Sequence, residues 1–239
     1  MAQSETNKRK VAVITGGSRG IGLAIARAFA HAGFKVVITG RDESKLKAVV
    51  AATGSAEITG MPCDVTDPAS VKKLFASVRE QYSAIDVLVN NAGVAHALAP
   101  VETLPLEDWK KAIDTNLTGI FLCAQAALPL MSTGGTIVNN LSVAAIRPFA
   151  GMSAYNASKA GALGFTNALR EEVRKRGIRV VALLPGAVAT EIWDQFWADA
   201  PREKMLSADT VAQAVLHAVS APAEASIEEI RIGPTVGVL

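Results

Sequence analysis

The chain is poor in the residues that build metal centres and covalent frameworks. Its 239 residues include two cysteines, Cys63 and Cys123, and three histidines. The cysteine spacing fits neither a metal site nor a short disulfide loop. Two buried thiols in a reducing compartment, the cytoplasm, are expected, with no metal. An excess of one charge is also missing. With 24 basic and 22 acidic residues the formal net charge is +2. That removes the electrostatic case for nucleic acid or an anionic membrane as partner. No apolar run approaches the length of a membrane span. The first residues, MAQSETNKRK, are polar and no apolar segment follows them. A disordered tail over residues 1–9 and no signal peptide are therefore expected.

What the chain does have is apolar strand-like runs alternating with longer helical stretches. Half of it is hydrophobic. Strands are expected at 11–15, 35–39, 86–90, 136–141 and 178–184, where the runs are near-continuous, as in strands buried on both faces of a parallel sheet. Weaker strands are expected at 57–63 and 228–232. Helices are expected at 20–32, 43–52, 67–80, 106–131, 153–176 and 207–219, with Asp67-Pro68 and Ser207 as starts. The alternation predicts an α/β fold, a doubly wound Rossmann-type parallel sheet of about seven strands with helices on both faces. With no linker or repeat, residues 1–239 are expected to form one domain. Ligands of such sheets lie beyond the carboxyl ends of the strands.

The segment TGGSRGIG, Thr15 to Gly22, follows the first strand and opens a helix. Its glycines allow close approach of a phosphate to a helix N-terminus that offers free N–H groups. The same loop matches G-x-S-x-G, with Ser18 as a hydrolase nucleophile. The elbow normally follows a central strand with others before it, and neither His31 nor His96 nor His217 falls in the expected place. A dinucleotide is the better reading. At the end of the second strand, Gly40 stands where an acid would hold the ribose of NAD, and Arg41 follows. Arg19 lies in the glycine loop. Two arginines converging there favour the 2′-phosphate of NADP(H) over NAD(H). Asp42 is the alternative ribose ligand, unless it starts the next helix.

With these pieces in view, the chain resembles the classical short-chain dehydrogenase/reductase family over about residues 10 to 190. TGGSRGIG looks like its TGxxxGxG loop and CDVTD (63–67) like its adenine-flanking turn. NNAG (90–93), DTNLTG (114–119), Ser142 thirteen residues before Tyr155, YNASK (155–159) and PGAVAT (185–190) follow in the family's order. The resemblance implies a catalytic set of Asn116, Ser142, Tyr155 and Lys159. It implies cofactor contacts from Gly16, Ser18, Arg19, Gly20, Ile21, Gly22, Arg41, Asp64, Val65, Asn91, Ala92, Gly93, Tyr155, Lys159, Pro185, Gly186, Val188 and Thr190. Asn116 would interrupt helix bonding, order a water and link Lys159 to solvent. The implied activity is hydride transfer between NADP(H) and a ketone, aldehyde or 3-oxoacyl compound, or the corresponding alcohol. A homodimer or homotetramer through the long helices is implied. A redox-sensing NADP-binding module without turnover is the alternative.

The chemistry explains the set. Tyrosine, with an ordinary pKa near 10, donates a proton readily but accepts one poorly at neutral pH. An ammonium one helical turn away is expected to pull the phenol towards the working pH. Ser142 would hydrogen-bond the substrate oxygen. Residues 191–206 are expected to form a substrate lid, in which Trp193, Phe196 and Trp197 are either a cleft wall or a core stripe. RPFAG (147–151) is a candidate opposite wall, with Arg147 facing an anionic substrate or solvent. His96 is expected to be a solvated loop residue. Leu141 stands where the family often has a serine.

Overall fold

The computed structural model describes residues 9–237. The elements in chain order are β1 (Val11–Ile14), α1 (Gly20–His31), β2 (Lys35–Gly40), α2 (Glu43–Thr53), β3 (Ile58–Pro62), α3 (Pro68–Tyr82), β4 (Ile85–Asn90), α4 (Leu106–Ile113), α5 (Gly119–Ala127), β5 (Met131–Asn140), α6 (Ser153–Arg174), β6 (Arg179–Pro185), α7 (Ala208–Val219) and β7 (Glu229–Ile232). The strands form one parallel sheet in the order β3-β2-β1-β4-β5-β6-β7. This is the doubly wound Rossmann-type arrangement. The switch point falls between β1 and β4, where the order reverses.

Neighbouring residues of one strand feed opposite cores, which is why the strands read as continuous apolar runs. Ala12, Ile14, Val36 and Ile38 pack on one face with Ile25, Phe29, Val211 and Val215 of α1 and α7. Val13, Val37, Leu88 and Ile137 pack on the other with Leu74, Phe75 and Val78 of α3, Cys123 and Ala124 of α5 and Leu169 and Val173 of α6. Both thiols are buried and free. Asp67 caps α3 by accepting from the backbone N–H groups of Ala69 and Ser70, with Pro68 in the first turn. Ser207 caps α7 in the same way through Thr210. A capped start of this kind contributes on the order of 1 kcal/mol.

One expected helix is broken. The stretch 106–131 divides into α4, a π turn at Asp114–Thr118 and α5, and it ends in a 3-10 turn at Leu128–Leu130. Pro129 lies in that last turn. Strand β5 then begins at Met131, five residues earlier than its apolar run suggests, because Ser132–Gly135 continue the extended chain around a register shift against β4. The expected tail over residues 1–9 lies outside the described residues except for Arg9, whose exposed guanidinium donates to Glu57. Among the described residues no helix is long and apolar enough to cross a membrane, and no cluster of His, Cys, Asp and Glu suits a metal ion.

Phe29 is fully buried and its ring lies 5.0 Å from that of Phe34. Truncation leaves a cavity between α1 and the sheet. Phe29→Ala should lower the unfolding free energy by about 3–5 kcal/mol, read by denaturant titration. A loss under about 1 kcal/mol would contradict this packing.

Candidate active site

The loops after β1 and β4 are tied together at the switch point. Thr15 Oγ1 accepts from the backbone N–H groups of Asn91 (2.9 Å) and Ala92 (3.0 Å). Asn91 Nδ2 donates back to the carbonyls of Thr15 and Gly16, both at 3.0 Å. This knot leaves no space for side chains. A Cβ on Gly22 would lie 2.4 Å from Asn91 Nδ2, and one on Gly16, at φ +62, would lie 2.8 Å from Ala92 Cα. No side chain caps the first turn of α1, so its N–H groups face the open cleft. A backbone cradle at an uncapped helix N-terminus suits a pyrophosphate.

The cleft, about 890 Å³, runs along the carboxyl ends of the strands. Its first end is lined by Ser18, Arg19, Gly40, Arg41, Asp64 and Val65. Arg19 and Arg41 make no ion pair among the described residues. Asp42 accepts from the backbone N–H of Lys45 and caps α2. It is therefore the helix start, and the end of β2 presents Gly40 and a guanidinium. Lys45, absent from the residues singled out in the sequence, adds a third cation on this wall, 3.8 Å from Asp42. Its signal was its place one turn into α2. Val65 is buried against Gly119, and the Asp64 carboxylate accepts from the backbone N–H and hydroxyl of Thr66. Ser18 bonds to no histidine: His96 contacts Ala97 and Tyr155, and His31 and His217 have no side-chain hydrogen bond. The nucleophile-elbow reading has no geometric support.

Ser142, Tyr155 and Lys159 meet at the middle of the same cleft. Ser142 Oγ accepts from Ala144 N at 3.1 Å, which leaves its hydroxyl proton to donate. Tyr155 and Lys159 share a face of α6, and Lys159 Nζ lies 5.6 Å from the centre of the tyrosine ring. Lys159 is 4% exposed and donates to the Asn140 carbonyl at 3.0 Å. Burial away from any carboxylate lowers its pKa from the ordinary 10.5 to about 8. The Tyr155 phenol moves the other way. Burial pushes it above its ordinary 10, and the hydrogen bond with Ser142 offsets only part of that. Burial thus sets the direction of the phenol's shift, and the phenol is held protonated at neutral pH.

Asn116 is fully buried in the π turn, as a residue that interrupts helix bonding should be. Its Oδ1 accepts from Val94 N at 2.9 Å, while Nδ2 donates to Val94 O at 2.9 Å and Ser158 Oγ at 3.0 Å. The side chain therefore clamps the loop after β4 to α6 and makes no bond to Lys159. Asn140 was not anticipated. Its Nδ2 donates to Asn91 Oδ1 at 2.8 Å. The amide orientations are fixed, because Asn91 Nδ2 is engaged by two carbonyls and only Asn91 Oδ1 remains to accept. His96 also differs from expectation. It is 5% exposed, its Nδ1 pairs with the Ala97 carbonyl at 2.8 Å, and its Nε2 accepts from Tyr155 N at 3.4 Å. It sits under the first turn of α6, and is not solvated.

The far end is closed by residues after β6. Gly20 and Thr190 touch, since a Cβ on Gly20 would lie 3.2 Å from Thr190 Cγ2. Pro185, Gly186, Val188 and Thr190 line the cleft. The lid segment forms 3-10 turns at Glu191–Gln195 and Arg202–Lys204. Gln195 Oε1 accepts from Ala95 N at 3.1 Å, and Arg202 pairs with Asp194 and donates to the Thr190 carbonyl. Trp193, Phe196 and Trp197 line the cleft and form no core stripe. Phe149 and Ala150 face them from the opposite wall, whereas Arg147 does not reach the cleft.

Comparisons with known proteins agree with this geometry. A family model described as short chain dehydrogenase matches residues 10–201. The 3beta-hydroxysteroid dehydrogenase of Mediterraneibacter gnavus is 41% identical over 193 residues, 80% of this chain and 70% of that protein. An alcohol dehydrogenase from Thermococcus sibiricus, complexed with 5-hydroxy-NADP, superposes with a TM-score of 0.88 at 29% identity, over 96% of this chain and 98% of that one. A 3-ketoacyl-(acyl-carrier-protein) reductase from Brucella melitensis, complexed with NADH, superposes with a TM-score of 0.87 at 27% identity, over 95% and 98%.

The buried lysine makes a pH prediction. Its folded pKa of about 8 lies below the ordinary 10.5. The unfolded chain therefore binds more protons between these values, and stability rises with pH across that window. The penalty is fully present below pH 8 and amounts to about 3 kcal/mol. Relative to Lys159→Met, the wild type should gain about that much stability between pH 8 and 10.5. Denaturant titrations at several pH values measure the difference, and a pH-independent offset would contradict the burial argument.

Proposed function

The chain belongs to the classical short-chain dehydrogenase/reductase family and is an oxidoreductase, and from that premise we propose that it transfers a hydride between NADP(H) and a carbonyl or alcohol substrate, with Tyr155 as the general acid/base. One observation carries the reading. Ser142, Tyr155 and Lys159 converge in a cleft continuous with an uncapped helix N-terminus and two unpaired arginines.

The cradle fits the cofactor. Gly16, Gly20, Ile21 and Gly22 would meet the pyrophosphate, Asp64 and Val65 the adenine, and Asn91, Ala92 and Gly93 the adjoining ribose. Pro185, Gly186, Val188 and Thr190 would hold the nicotinamide end. Ser18, Arg19 and Arg41 would take the 2′-phosphate, because a guanidinium forks around phosphate oxygens and Gly40 leaves room for them. When bound, the reduced nicotinamide supplies the hydride.

The protein supplies the proton and the alignment. Ser142 donates its hydroxyl proton to the substrate oxygen and fixes that atom beside Tyr155. The buried phenol, protonated at neutral pH, donates its proton to the same oxygen as negative charge develops there. The phenolate left behind faces the Lys159 ammonium, held in place by the Asn140 carbonyl. Asn116 keeps the loop after β4 docked on α6. In the reverse direction the phenolate accepts the alcohol proton. A redox-sensing module would need only the cradle; a serine and a tyrosine aimed at one point favour turnover. We propose that residues 1–239 form one domain that assembles as a homodimer or homotetramer through α4, α5 and α6, where Trp109 and Phe121 are exposed.

Tyr155→Phe should lower kcat by about 10²–10⁴-fold with NADPH binding within about twofold, followed by NADPH oxidation over ketones, aldehydes and acyl thioesters. Full turnover in that variant would sink the mechanism. Arg41→Ala should weaken NADPH by about 10–100-fold, the worth of one charge-assisted hydrogen bond, and NADH by less than about threefold. Equal losses in titrations of the two cofactors would refute the 2′-phosphate assignment.

A further inference from the structure

We infer that the substrate is an uncharged carbonyl compound with an apolar, ring-bearing body. The inference rests on the hydride-transfer reading and adds what the substrate end selects. Most of the cleft's charges lie away from Tyr155: Arg19 in the glycine loop, Arg41, Asp42 and Asp64 after β2 and β3, and Lys45 in the first turn of α2, all at the cofactor's adenosine end. Glu191 opens the lid, its Oε2 3.6 Å from where a Cβ on Gly20 would be, and a carboxylate there offers an anionic substrate no attraction. Lys159 lines the cleft but is 4% exposed and bonded to the Asn140 carbonyl. Around Ser142 and Tyr155 the walls are Leu98, Phe149, Met152, Trp193, Phe196 and Trp197.

These walls are fixed in place. The lid is pinned by Gln195 to Ala95, next to His96, which meets the backbone of Tyr155. Leu98 packs against Gly151, and Ala99 N donates to the Gly151 carbonyl at 3.0 Å. Trp193 is anchored by its indole N–H to the Val188 carbonyl at 2.9 Å. Its ring meets Phe196 at 4.9 Å and Trp197 at 6.0 Å, tilted and edge-on, so the cluster offers both faces and edges to a further ring. Leu98 remains 57% exposed and Trp197 43%. Large apolar side chains left open on a cleft rim mark a binding surface. A carboxylate entering here would lose its hydration to apolar walls. Among the described residues, the one cation lining the cleft beyond Tyr155 is Arg231, which is paired with Glu229 at 2.9 Å and stands at the exposed edge.

The test uses three matched probes: acetophenone, 2-octanone and phenylglyoxylate. The first two differ in the ring, the first and third in a carboxylate. Dissociation constants are measured on Tyr155→Phe loaded with NADPH, from quenching of tryptophan fluorescence; two of the chain's three tryptophans stand in the lid. The same probes are then assayed for NADPH oxidation by the wild type. Acetophenone should bind at least about tenfold more tightly than either of the others, and Phe196→Ala should weaken it by about 10–100-fold while NADPH binding holds. Equal or tighter binding of phenylglyoxylate, lost on Arg231→Gln, would overturn the inference. So would equal binding of 2-octanone, or no binding of any probe. Tight acetophenone binding without NADPH oxidation by the wild type would uphold the apolar site and defeat the hydride-transfer reading instead.

Discussion

The architecture depends on a single contact made where the sheet reverses direction. The side chains of Thr15 and Asn91, just after β1 and β4, make four hydrogen bonds to the backbone of the opposite loop. The two loops are thereby drawn so close that only glycine fits at positions 16 and 22. The close approach leaves backbone N–H groups at the surface of the cradle. A phosphate-sized anion is what such a surface recognises. The contact also extends sideways. Asn140, at the end of β5, donates to Asn91 and uses its own carbonyl to hold Lys159. A continuous chain of hydrogen bonds thus joins the glycine-loop cradle to Lys159 across three strand ends.

That chain matters because Lys159 is held by a carbonyl and faces no carboxylate. A carboxylate partner would neutralise the ammonium and remove its field from the phenol. The carbonyl fixes its position and leaves the charge uncompensated, which is why burial lowers its pKa to about 8. Tyr155 is raised by the same dry surroundings. The two shifts have one cause with opposite signs, because burial opposes whichever form is charged. The site therefore holds a neutral acid beside a strained cation. In the proposed step the acid would become an anion that relieves the cation, so the residues would be better matched after it than before.

Much of this was legible in the sequence, and the exceptions have physical reasons. The strands were clear because both faces are buried, so Val11–Ile14 and Val180–Pro185 carry no polar punctuation. The glycine loop, Ser142, Tyr155 and Lys159 were clear because their chemistry restricts residue type. The break at Asn116 was readable only as an asparagine out of place; the i+5 bonding that accommodates it depends on Val94 and Ser158, far away in sequence. Asn140 was hidden because strand position alone gives no sign that a polar side chain has a partner, and its partner is an asparagine 49 residues away. His96 was misjudged for a related reason. A loop histidine is usually solvated, but here the loop runs beneath the first turn of α6.

The division of labour along the cleft follows from the same constraints. Before Thr190 the cleft is lined by the glycine loop, the strand ends and the Ser142–Tyr155–Lys159 cluster, with Leu98, Phe149 and Met152 as an apolar wall. The lid is built differently. Its short 3-10 turns carry little regular hydrogen bonding of their own, and the segment is held by a few side-chain ties: Gln195 to the Ala95 backbone, Trp193 to the Val188 carbonyl and Arg202 to Asp194. Such a segment tolerates changes of shape at small cost to the sheet beneath it. The aromatic cluster therefore records a selection that the core did not impose. Two tryptophans and a phenylalanine in a chain that is only 5% aromatic stand on the one surface where the fold has no need of them.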